Sequence, residues 1–155
     1  MSAYLLVKTL HILSAAVLFG TGLGIAFFMV RSHFTDNLQQ KIYAARNTVL
    51  ADTLFTLPAV VIQPVTGIWL MLHAGFRLTD FWIMSSIGLY LFAGACWLPV
   101  VWIQLRLRQL LQQAAITDTP LTAQYQRLFA LWFILGWPAF IAVTLIFYLM
   151  VAKPV

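Results

Sequence analysis

Two histidines carry the chemistry that the sequence offers. His11 lies 20 residues before Arg31, and His73 lies 21 residues after Asp52. If those two charges mark one membrane boundary, a rise of 1.5 Å per residue carries each imidazole about 30 Å away from it. The spacing therefore predicts two imidazoles at one level on separate helices. Neutral imidazole is the commonest metal ligand and a usual axial ligand of haem iron. Lys8 stands three residues before His11 and Arg77 four after His73, each about one turn nearer water. Two propionates would take their counter-charges there. Trp69, one turn before His73, offers a face to a ring, while Ala15, Gly22 and Ala26 keep the His11 face small. That face has room for a flat macrocycle or for a neighbouring helix. The constellation reads as a b-type haem ligated by His11 and His73 between the first two spans, with the last two closing the pocket. The same imidazoles with Met71 or Met84 would instead hold copper. Histidine, lysine and arginine also snorkel at membrane interfaces while binding nothing.

Other chemistries are poorly represented. His33, the third histidine, falls on the opposite, basic side, where it is expected to be solvated and has no partner for a second haem. No chain of intramembrane acids and bases suggests a proton-coupled pump or an ion channel. Serine-, cysteine- and phosphate-based catalytic motifs are absent.

Composition decides what must position these residues. Of 155 residues, 63% are hydrophobic and 8% charged, and glutamate does not occur. A soluble domain carries roughly 25% charged residues, so this chain cannot cover a water-facing surface. The same composition excludes disorder, and a nucleic-acid module is excluded because nine cations giving a net charge of +5 are scattered along the chain. One cysteine, Cys96, rules out a disulfide scaffold.

Four apolar stretches remain, between Lys8 and Arg31, Asp52 and Arg77, Asp80 and Arg106, and Arg127 and Lys153. Each is long enough to cross a bilayer. They predict an all-α, integral membrane four-helix up-down bundle, a single transmembrane domain over 1–155 with helices at about 3–31, 37–74, 80–115 and 120–152. Met1 to Val7 lacks a basic n-region, so the first segment is expected to be retained. Arg31, Lys41, Arg46, Arg106, Arg108 and Arg127 gather on one side against Lys8, Arg77 and Lys153 on the other. The bias places both termini outside and extends helices two to four into the cytoplasm. Asp36 with Gln39 resembles a capping box, and Thr119-Pro120 an N-cap with proline at the first helical position. Gly75 is expected to end the second span, and Thr79 or Asp80 to cap the third. Pro58, Pro64, Pro99 and Pro138 should kink their helices. Gln63 should point inward, holding a carbonyl freed by Pro64 or lining a ligand site. Ala16, Gly20 and Gly24 form a small-residue stripe that suits a homodimer contact.

The run Lys8-Thr9-Leu10-His11-Ile12, with Phe19-Gly20, Gly22-Leu23 and Arg31, resembles the first helix of HemJ-type protoporphyrinogen oxidases and is similar to CopD-type four-helix membrane proteins. With Cys96-Trp97-Leu98-Pro99-Val100, the whole chain looks most like a bacterial family of predicted integral membrane proteins. The HemJ resemblance implies haem b with the first-helix histidine as axial ligand, which corresponds to His11. Those enzymes carry an intramembrane lysine in the third helix, where this chain has Trp82-Ile83-Met84-Ser85-Ser86, so porphyrinogen oxidation itself is not carried over. The expectation is a multi-pass protein of the bacterial inner membrane, acting in electron transfer or as an oxidoreductase. Its partners would be a quinol or a periplasmic redox protein. The alternatives are a cofactor-free scaffold or accessory subunit and a copper-handling protein.

Overall fold

The computed structural model describes residues 2–154. Its helices are α1 (Ala3–His33), α2 (Leu38–Ala51), α3 (Leu57–Ala74), α4 (Phe81–Thr117) and α5 (Ala123–Ala152). A π-helical segment, Asp52–Thr56, joins α2 to α3 without a break, so Leu38–Ala74 is one 37-residue rod. The fold is all-α, with four helices long and apolar enough to cross a membrane. Large apolar side chains such as Leu13, Phe28, Val65, Leu91, Ile134 and Tyr148 are exposed all around it, as a lipid-facing surface requires.

The π segment has a local cause. Pro58 occupies the first turn of α3 and lacks an N–H, while the Leu57 N–H reaches back five residues to the Asp52 carbonyl. Widening the turn accommodates the proline ring without ending the helix.

Contacts show that neighbouring rods run antiparallel. Tyr4 meets Trp69 with ring centroids 6.5 Å apart, and His11 meets Thr66. Lys153 Nζ lies 5.0 Å from the Phe76 ring and 5.6 Å from Trp82, tying the end of α5 to the start of α4. α4 and α5 form the most extensive pair, α1 packs on α3 and α2, and α2 packs on α4. The principal apolar core lies toward the basic end, where Met29, Ala45, Ile103, Leu107, Leu111, Tyr125 and Phe129 cluster.

Several local expectations change. The cap of α2 is Asn37, whose side chain accepts from the Gln39 and Gln40 N–H groups at 2.9 and 3.2 Å; Asp36 takes no part. Carboxamide geometry one residue later satisfies the same orphan donors. α5 begins after Thr122, and Thr119 instead pairs with Thr117 at 2.7 Å in the connection. Gly75 does end α3, with φ +75°, a conformation that L side chains rarely adopt. Asp80 precedes α4, but its carboxylate accepts from the Arg77 N–H at 2.9 Å. His33 is half-buried, stacked on Phe129 with centroids 3.9 Å apart, because α5 covers the end of α1 there.

Candidate functional site

His11 is held between α1 and α3 by polar groups from both. The Thr66 hydroxyl donates its only hydrogen to the Ile62 carbonyl at 2.6 Å. Its oxygen lies 2.7 Å from His11 Nδ1 and, with the hydroxyl hydrogen given to that carbonyl, accepts from His11 Nδ1–H. That arrangement selects the Nδ1–H tautomer and leaves Nε2 as a donor atom. Gly67 lies against the same ring; a Cβ there would stand 3.2 Å from His11 Cε1. The imidazole thus occupies the space a side chain would fill.

Gln63 completes the attachment. Its Nε2 donates to the His11 carbonyl at 2.7 Å and to Ser14 Oγ, while the Ser14 hydroxyl donates to the same carbonyl at 3.1 Å. Gln63 points inward as expected, but it grips α1 and not a proline-freed carbonyl. The carbonyl that Pro64 frees, that of Val60, accepts from the Tyr90 hydroxyl on α4. Gln63 and Thr66 are three residues apart and so share a face, opposite His11 and Ser14.

His73 is oriented in the same chemical sense. A backbone carbonyl can only accept, so His73 Nδ1–H donates to the Trp69 carbonyl at 2.9 Å and Nε2 is again free. The ring stacks on Trp69 with centroids 3.6 Å apart. Trp69 therefore presents its face to His73, the surface expected to be offered to a macrocycle. His73, Lys8 and Arg77 are exposed, Ala15 lies half-buried one turn from His11, and Gly22 has open space around it.

The two imidazoles are not at one level. His11 faces Thr66 and Gly67, which precede His73 by seven and six residues, or about 10 Å along α3. The expectation failed because Asp52 is no boundary residue. It is buried within the bundle, so depth counted from it places His73 too near the level of His11. Met71 is two residues from His73 on a helix and projects from nearly the opposite face. Among the described residues, no group of three or more His, Cys, Asp or Glu side chains comes together as a metal-ligand set.

Thr66, Ser14 and Gly67 were not singled out from the sequence. Their signal was present: Ser14 lies three residues after His11, and Gln63, Thr66 and Gly67 interrupt an otherwise apolar span.

No curated protein and no solved structure matches the chain. The family model described as "Predicted integral membrane protein (DUF2269)" matches residues 5–154, and the chain belongs to that family.

Proposed function

We propose that this is a membrane redox protein that holds haem b through His11, near the end of the bundle that carries both termini. The supporting observation is the setting of the imidazole: Nδ1 lies 2.7 Å from the Thr66 hydroxyl, and Gly67 backs the ring. Ligating histidines characteristically donate their second nitrogen in this way, which fixes ring orientation and raises basicity. A porphyrin supplies four equatorial nitrogens itself. The donor set therefore suits haem better than copper, which would need a third protein ligand.

His73 lies about 10 Å nearer the terminal end than His11, with Lys8 between the two levels and Arg77 beyond His73. We assign these three to the carboxylate edge of the group, and His11 alone to the iron. With His11 as the one protein ligand that would hold it, the group would supply a small redox reaction rather than a pure electron relay. When bound, the haem would supply one-electron chemistry. The chain would supply an oriented imidazole and, from Lys8 and Arg77, cations at the rim. The reading includes termini facing the periplasm of a bacterial inner membrane, with a quinol as the membrane-soluble partner. The unpacked stripe at Gly20 and Gly24 would be a contact between two copies.

The test is the absorption spectrum of the purified protein. A Soret band with sharpened α and β bands on reduction is expected, abolished by His11→Ala and shifted modestly by His73→Ala. A colourless protein, or an unchanged spectrum in His11→Ala, contradicts the assignment. A second reading is a cofactor-free scaffold, favoured by the network in which Gln63, Ser14 and Thr66 bind His11 and its carbonyl. There the histidine is a helix-to-helix clasp, and the same spectrum decides between them.

A further inference from the structure

A second polar cluster lies toward the basic end, away from His11. Asp52 and Thr56 stand four residues apart on the π segment, and Trp97 and Gln104 seven apart on α4. Both spacings put their members on one helix face. Asp52 is 7%, Thr56 6% and Gln104 3% exposed. Thr56, Gln104 and Trp97 are the side chains that face the Asp52 carboxyl. Yet Asp52 Oδ2, Thr56 Oγ1, Gln104 Oε1 and Trp97 Nε1 are all buried without a hydrogen-bond partner.

Three of these four atoms are hard oxygens, and they include one carboxylate. From α1, α2, α3 and α4 no charged or titratable side chain faces Asp52. Its outer neighbours Leu54, Phe55, Leu57, Leu98 and Leu105 are exposed apolar residues. A buried carboxylate with no counter-charge is strongly disfavoured, and within a membrane protein such a group marks an ion or proton site by default. The backbone adds acceptors. Pro58 has no N–H to return to Thr53 or Leu54, so at least one of those carbonyls is unclaimed. π segments recur where a helix is adapted to a ligand.

We propose that Asp52, Thr56 and Gln104 bind one monovalent cation, sodium or a proton. The single negative charge sets the valence. The oxygen donor set and the absence of nitrogen or sulfur ligands select a hard ion. Trp97 Nε1 faces the same carboxyl but, carrying a hydrogen and no lone pair, is no cation ligand. The proposal is independent of His11 and of any haem.

Two readouts on the full-length protein in lipid nanodiscs test it. The first is the thermal midpoint in sodium chloride against choline chloride at equal ionic strength. Sodium at about 100 times its dissociation constant should raise the midpoint by roughly 5 °C or more, and Asp52→Asn should remove the rise. The second is the infrared band of a protonated carboxyl, followed from the ordinary aspartate value, about pH 4, up to about pH 9. A titrating band lost in Asp52→Asn, and displaced by sodium, identifies both ions as occupants; a band that ignores sodium identifies the proton alone. If Asp52→Asn does not fold, Thr56→Val and Gln104→Leu keep the carboxyl and should shift the sodium response to higher concentration or displace the band. No sodium response together with a carboxyl ionised throughout overturns the proposal, since three neutral donors would then suffice to hold the anion.

Discussion

Replacing Thr66 by valine isolates the contact that orients His11. The two side chains have nearly the same shape, so no cavity opens. What disappears is the acceptor 2.7 Å from His11 Nδ1. A buried donor left without a partner costs about 1–3 kcal/mol. Interhelical hydrogen bonds in membranes average about 0.6 kcal/mol and reach about 1.7. His11 is only half-buried, so water or a rotamer change recovers part of the loss, and we expect about 1 kcal/mol. The hydroxyl's donation to Ile62 lies within α3 and contributes little to the docking of the two helices. The assay is a double-mutant cycle of Thr66→Val and His11→Phe, with unfolding in mixed micelles followed by tryptophan fluorescence. Independent sites add within about 0.3–0.5 kcal/mol. A coupling near 1 kcal/mol supports the bond, and a coupling below about 0.3 refutes its part in joining α1 to α3. If haem is bound, Thr66→Val should also weaken its affinity by about 10- to 100-fold.

Tyr90→Phe should destabilise by about 1–2 kcal/mol, because it strands the Val60 carbonyl. In a Pro64→Ala background the restored N–H satisfies that carbonyl, so most of this penalty should vanish; equal penalties in both backgrounds would contradict the pairing. Asn37→Ala removes the cap of α2 and should cost about 1 kcal/mol, with faster hydrogen exchange at the Gln39 and Gln40 amides. Gly67→Leu places a side chain where the His11 ring lies, and overpacking should cost about 1–3 kcal/mol; a stability equal to wild type would show that the ring does not occupy that space.

The spans were legible because charge is so sparse that Lys8, Arg31, Asp80, Arg106 and Lys153 nearly punctuate the chain by themselves. Gly75 was legible for a different reason: a left-handed residue at a helix end leaves few candidates. The same reliance on charges as punctuation misplaced Asp52. Sequence gives no sign that a carboxyl is covered by Gln104 and Trp97 from a helix 45 or more residues away, and the depth of His73 inherited that error. The partner of Pro64 was hidden likewise. Any nearby donor can take a freed carbonyl, and Gln63 was nearer in sequence than Tyr90. Near the histidines, residue types were readable but pairings were not, since Thr66 and Ser14 acquire meaning only when α1 is laid against α3.

Ligation of a haem iron by His11 is tested by the haem content of the purified protein, read as its pyridine haemochrome for the wild type and His11→Ala side by side. Haem b equimolar with the chain is expected in the wild type and none in the variant, with both proteins folded and inserted. Haem absent from a folded wild type, or retained equally in both, contradicts it.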